Sequence, residues 1–388
     1  MKKLFLFAAM AATVLASCAK NEVFQKETAK TPVSFGVYTQ RSVETKVGGE
    51  AGDQTIITLG HKDKSGFGVY CFYSDNTTYV TTPSNNFVPN FMWNQQVKGN
   101  GDGANPTAWS YSPVKYWPNE YVNTVTDEGI DRLTFFAYAP WVDATKDTGN
   151  VGSETEGITH ISDYNDEGDP TLTYVIPASS ANHVDVLYAD KTNLVNLVKP
   201  AGNANVVFNF KHALTKVTFR VQTFIDGTNN TALLDDEGAA VDGQTTVTLT
   251  DLNFGGASIY PSGTLNIATG AWTPADAGTK TFTHTGLTQN VTKTKAAVTG
   301  VPTITLIPNG SSATYNVNVI YTVETIDANL NGGKSTVTNN IKNTITLTLA
   351  PGKNNIIDLV LGLYTVKVSA TVTDWEDAAV EVDLPANN

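Results

Sequence analysis

Residues 315–323, "YNVNVIYTV", carry an apolar side chain at every odd position and mostly polar ones between. A period of two belongs to a strand with one buried face. It does not fit a helix, whose apolar positions recur every three to four residues. The same alternation runs through residues 216–221 at Val217, Phe219 and Val221, and through residues 344–349 at Ile345, Leu347 and Leu349. Turn-forming clusters such as "KGNGDGANP", "DYNDEGDP", "IDGTNN" and "LNGGKS" stand between such runs. Threonine, valine and tyrosine are abundant, as pleated half-buried surfaces favour. No amphipathic helix longer than a few turns is legible. The expected class is therefore all-β, built as sandwiches.

A chain of 388 residues is long enough for two such domains. In "NLVKPAGNANV" the Lys199-Pro200 pair and a Gly/Asn-rich connection lead into a strand start at residues 206–210. The expected domains are residues 42–200 and 201–388, with no short internal repeat between them.

Lys2 and Lys3 precede an apolar run over residues 4–16 that is too short to span a bilayer, so residues 1–17 read as a signal peptide. Leu15, Ala16, Ser17 and Cys18 follow in the order large-apolar, small, small, cysteine. That order resembles the lipobox of bacterial lipoproteins and implies that Cys18 carries lipid and tethers the precursor to the outer membrane. The alternative is an ordinary secretory signal with a chance cysteine. Removing residues 1–17 removes two lysines and no acid, taking the formal charge from -12 to -14. Such a balance disfavours nucleic acid and anionic membrane surfaces as partners. With Cys18 modified, Cys71 is the one thiol left; in the apolar run "FGVYCFYS" it reads as buried and inert.

The sequence offers no catalytic residue, metal site or cofactor motif. His61, His160, His183, His212 and His284 are scattered without zinc-ligand spacing. The glycines of "GNGDG" follow no hydrophobic strand and open no helix. The run from Asp163 to Asp169 begins like a calcium loop, but its twelfth position is Tyr174 where a bidentate glutamate would be needed. A solvated turn is the better reading. Six aromatics, Trp93, Trp109, Tyr111, Tyr116, Trp117 and Tyr121, crowd residues 93–121. They suit core packing first, and a glycan platform at Trp93, Trp109 and Trp117 second.

The order of "PVSFGVY", "WSYSPVKYWP", "LTFFAYAPW", "VDVLYA", "FNFKHALTKVTFRV", "LAPGKNNIIDLVLGL" and "VSATVTDWED" resembles the fimbrillins, subunits of the lipoprotein-derived pili of Bacteroidetes. The likeness runs from the lipobox to Trp375. It implies two transthyretin-like β-sandwich domains in tandem, no enzymatic activity, self-polymerisation with other pilin subunits, and a cell-surface fimbrium serving adhesion to a glycan or protein. It also implies that a trypsin-like, arginine-directed protease cuts the exported lipoprotein in its first strand. Here that cut falls between Arg41 and Ser42, which leaves residues 18–41 as a lipidated propeptide. Arginine occurs only at Arg41, Arg132 and Arg220, and the latter two are expected to be shielded by folding. Loss of residues 18–41 sheds Lys20, Lys26, Lys30 and Arg41 against Glu22 and Glu27, moving the charge from -14 to -16.

Removing a strand exposes a row of unpaired backbone groups beside an apolar groove, a template for another strand. Residues 378–384 offer a donor, with Val380, Val382 and Leu384 on one side, Glu381 and Asp383 on the other, and Pro385 as a stop. They also fit an edge strand of their own domain. Two other roles stand beside the polymerising subunit: a lipid-retaining pilus anchor and a surface glycan-binding lipoprotein.

Overall fold

The computed structural model describes residues 30–39, 66–75, 77–82, 85–99, 108–118, 131–143, 156–200, 204–225, 244–275 and 278–375. They form four sheets and, among them, one 3-10 turn at Ser180–Asn182.

The largest sheet has seven strands in the order β1 (Phe35–Thr39), β9 (Val206–His212), β8 (Leu187–Ala189), β5 (Asp131–Ala139), β2 (Phe67–Asp75), β3 (Met92–Gly99) and β4 (Trp109–Ser110). Beyond β4 the chain continues to residues 115–117, which bond to residues 31–33 just before β1: Val33 N–H to Lys115 O and Trp117 N–H to Thr31 O, both 2.9 Å. The sheet thus curls until its two ends meet. Strand β5 shows what this requires of the sequence. Leu133, Phe135, Ala137 and Ala139 face the enclosed core with Phe67, Val69 and Phe208, whereas Phe136 and Tyr138 face the outer core with Tyr70 and Phe72. A strand buried on both faces is apolar at successive positions, as "LTFFAYA" is.

On the outer face lies a four-stranded sheet, β13 (Trp272–Pro274), β12 (Ser262–Asn266), β7 (Thr171–Val175) and β6 (Gly157–Ile161). Tyr70 Oη donates to Ser162 O at 3.1 Å across this packing. The remaining strands make a two-sheet sandwich. One sheet runs β16 (Ala296–Ala297), β10 (Thr215–Thr223), β20 (Lys353–Leu361) and β21 (Val366–Asp374), with β17 (Ile304–Leu306) also on β10. The other runs β14 (Gly278–His284), β11 (Thr245–Ile259), β18 (Ser312–Ile326) and β19 (Lys334–Thr348), with β15 (Gln289–Asn290) on β11. Phe219 meets Phe254 between them at 5.8 Å in an edge-on contact. Gly255 permits the close approach of β14, because a Cβ there would lie 2.1 Å from Lys280 O.

Strand pairing crosses the seam expected near residue 200. Strand β9 joins the seven-stranded sheet through β8 and β1, and β12 pairs with β7. The chain passes from the curled sheet to the sandwich at Ala213 and Leu214, then returns once through β12 and β13. Local composition suggests a polar connection near residue 200. It carries no information about which sheet the next strand completes.

Three side chains tie the two parts. Trp272 Nε1 donates to Ala213 O at 2.7 Å, and Lys280 Nζ donates to Ile176 O. His183 Nδ1 accepts from the Thr305 N–H at 2.8 Å, which leaves its proton on Nε2, 3.2 Å from Pro177 O. Burial drives the pKa of His183 down to about 4, with nearby Lys280 and His284 acting in the same direction and Pro177 and Glu156 against it. A histidine kept neutral by the fold stabilises it fully above the ordinary value near 6.5, and that contribution is lost as pH falls toward 4. The expected loss over this window is roughly 2–3 kcal/mol. Denaturant titrations at pH 7 and pH 4.5 should show it, and His183→Asn should flatten the difference; an equal pH dependence in the variant would remove His183 as its source.

Candidate assembly groove

The feature that distinguishes the curled sheet is its closing stave. Strand β1 runs parallel to β9, with Phe35 beside Val206, Val37 beside Phe208 and Thr39 beside Phe210. On its other side residues 31–33 run antiparallel to residues 115–117, bridged at Pro32 and Tyr116. Tyr111 Oη adds a 2.7 Å bond to Val33 O. The stave is therefore held by backbone on both flanks, each over only a few residues.

Its side chains plug the enclosed core. Val33 is 1% exposed and Phe35 4%. The Phe35 ring lies 5.1 Å from Tyr111, 5.4 Å from Phe208 and 6.1 Å from Phe135. Burying one such side chain contributes about 1.5–3 kcal/mol. Without the stave, the edges of β9 and of residues 115–117 lose their partners, and Phe135, Phe208, Val206 and Trp117 become the floor of an apolar groove. Val33, Phe35 and Val37 alternate along the sequence as the inward face of a strand does. The flank at residues 115–117, three paired residues between Pro113 and Pro118, carries no such periodic signal.

Arg41 and Ser42 lie outside the described residues, two and three positions after the end of β1, and so does Cys18. Arg132 sits within β5 opposite Ser74 of β2. Arg220 sits in β10 between Ala297 and Asp358, and its guanidinium reaches both oxygens of Asp358 at 2.7 and 3.1 Å. Lys295 Nζ joins that carboxylate at 2.8 Å. Desolvation raises the Asp358 pKa, but the Arg220 and Lys295 hydrogen bonds and charges outweigh it and hold the carboxyl below its usual range. The candidate donor residues Val380, Val382 and Leu384 are also outside the described residues; the described chain ends at Trp375.

The three tryptophans of the possible glycan platform do not share a face. Trp109 packs on Phe67 and Trp117 on Phe135, both within the curled sheet. Trp93 packs against the outer core and donates from Nε1 to Ser162 O at 2.9 Å. Cys71 is buried in the enclosed core, and burial pushes its thiol well up. Among the described residues no cluster of histidine, cysteine and carboxylates is placed to hold a metal, and no helix is long and apolar enough to cross a membrane.

A fimbrial protein from Bacteroides vulgatus ATCC 8482 shares the fold at a TM-score of 0.66 and 20% identity, covering 89% of this chain and 100% of its own. A candidate cell adhesion protein from Bacteroides uniformis ATCC 8492 aligns over 91% of this chain and 100% of its own at 16% identity and a TM-score of 0.42. No curated protein matches the chain. The fimbrillin-like family matches over residues 55–375, from before β2 to the tryptophan that ends the described chain, and the chain belongs to that family.

Proposed function

We propose that the chain is a pilus subunit, exported as a lipoprotein on Cys18, freed by a cut between Arg41 and Ser42, and joined to its neighbours by strand exchange in a surface fimbrium. The observation that carries this reading is the placement of β1. It is a short stave within the propeptide, on the N-terminal side of the proposed cut, seated between two flanks that both lose a partner when it departs. Arg41 follows it by two residues, whereas cutting at Arg132 or Arg220 requires unfolding of a ladder-bonded strand.

The incoming strand comes from residues 378–384 of another copy, with Val380, Val382 and Leu384 replacing Val33 and Phe35. Donation from one copy to the next is a heterologous contact that does not close, so it builds a filament. The partners are other pilin subunits, an arginine-specific protease, and the outer membrane until the cut is made. Adhesion to a glycan or protein is a property of the finished fimbrium in this reading.

Intact mass and N-terminal sequencing of protein recovered from the cell surface test it. The expected chain starts at Ser42 and carries no lipid. A chain starting at lipidated Cys18 would keep β1 in its groove and make the protein a membrane-held anchor instead.

A further inference from the structure

On the flank at residues 115–117 a side chain interrupts the ladder that holds the stave. Val33 N–H donates to Lys115 O and Trp117 N–H to Thr31 O, both at 2.9 Å. A hydrogen-bonded antiparallel pair exchanges two bonds, so the regular partner of Lys115 N–H is Val33 O. The Tyr111 hydroxyl stands between them instead. Lys115 N–H donates to Tyr111 Oη at 3.2 Å, and Tyr111 Oη donates to Val33 O at 2.7 Å.

That hydroxyl has a second acceptor within reach, Lys115 O at 3.3 Å. A phenol carries one proton, and the shorter contact, to Val33 O, holds it while β1 is seated. Departure of the stave removes Val33 O and also the Val33 N–H that occupies Lys115 O. The proton can then turn to Lys115 O while Oη goes on accepting from Lys115 N–H. One side chain thereby serves a donor and an acceptor of the empty flank, where a buried polar group without a partner costs about 1–3 kcal/mol. Tyr111 lies on the C-terminal side of the proposed cut, so it stays with the subunit. Its ring packs on the enclosed core as well as on Phe35, 5.1 Å away, and the groove wall therefore helps to place it.

We propose that Tyr111 is a positioning residue of strand replacement. Its hydroxyl holds the Val33 carbonyl of the seated stave, keeps residues 111–115 in shape while the groove is empty, and then meets a carbonyl of the strand that fills it. The last of these steps rests on the pilus-subunit reading.

Residue-resolved amide exchange of the full, uncut chain tests the role with Tyr111→Phe, which keeps the ring and removes the hydroxyl. Trp117 N–H and Val206 N–H are bonded to stave carbonyls, Thr31 O and Ser34 O, so they report its departure and should share one degree of protection. In the wild type Lys115 N–H should be protected about two- to tenfold more than either, the equivalent of one retained hydrogen bond. In Tyr111→Phe it should fall to their level. Their own protection should stay within about twofold, because the seated and the empty groove each lose one bond. Equal protection of all three amides in the wild type would overturn the role. So would an equal loss at all three in Tyr111→Phe, since the hydroxyl would then only pin the stave. Unequal protection of Trp117 and Val206 would instead overturn departure of β1 as a unit, and with it the strand exchange of the pilus reading, while Lys115 in the two proteins still decides for or against Tyr111.

Discussion

A chain carrying Phe35→Ala should polymerise before its N-terminal segment is cut, while the wild-type chain stays monomeric until then. The expectation follows from where Phe35 sits. Its ring touches Tyr111, Phe208 and Phe135 inside the enclosed core, so truncation removes apolar contacts and leaves a cavity, at a cost of about 3–5 kcal/mol. That cost falls on a strand whose hydrogen bonds on either flank extend over only a few residues. Departure of β1 becomes easier by the same amount, which raises the population of open groove on the order of a hundredfold to several thousandfold.

Size-exclusion of the uncut variant is the direct measurement, with Phe254→Ala as its control. Phe254 is equally buried but packs in the sandwich against Phe219 and Tyr315, far from the groove. Both variants should melt at lower temperature; only Phe35→Ala should form multimers. An uncut Phe35→Ala chain that melts low yet stays monomeric would mean that β1 does not gate assembly.

The sequence disclosed strands best where one face is wet. Tyr315, Val317, Val319, Tyr321 and Val323 are all buried, as are Val217, Phe219 and Val221, because a half-solvated strand writes its inward face as every second residue. Strand β5 obscures that signal by burying both faces. What alternation cannot encode is partnership: β9 reads as a strand start after a linker, and its union with β1 and β8 is a long-range fact settled by packing. The three tryptophans at 93, 109 and 117 divide between two cores for the same reason. Trp93 stands on β3 facing the outer core, while Trp109 and Trp117 face the enclosed one, and sequence proximity does not say which side of a sheet a ring takes.

Trp375→Ala should loosen the last strand and lower filament yield without altering the proposed cut after Arg41. Strand β21 is a sheet edge whose side chains, apart from Val366, are largely in solvent, so it is held by its ladder with β20 and by the residue that follows it. That residue is Trp375, stacked on His212 at 4.2 Å with ring planes 7° apart, its N–H donating to Gly352 O at 2.9 Å. His212 is fixed in turn by Asp185, with Nδ1 2.7 Å from Oδ2, and Lys216 Nζ lies 5.7 Å from the indole. The tryptophan thus fastens the end of β21 to the link between curled sheet and sandwich. Truncating it should cost about 3–5 kcal/mol. Amide exchange should speed up over residues 366–374 while the central strand β20 stays protected. Trp375→Phe, which keeps a ring on His212, should restore most of the protection. In the strand-exchange reading the donor residues begin three positions later, so the same stack sets the point from which a subunit reaches its neighbour. Unchanged exchange and yield in Trp375→Ala would show that the stack is idle and that β21 is held by its ladder alone.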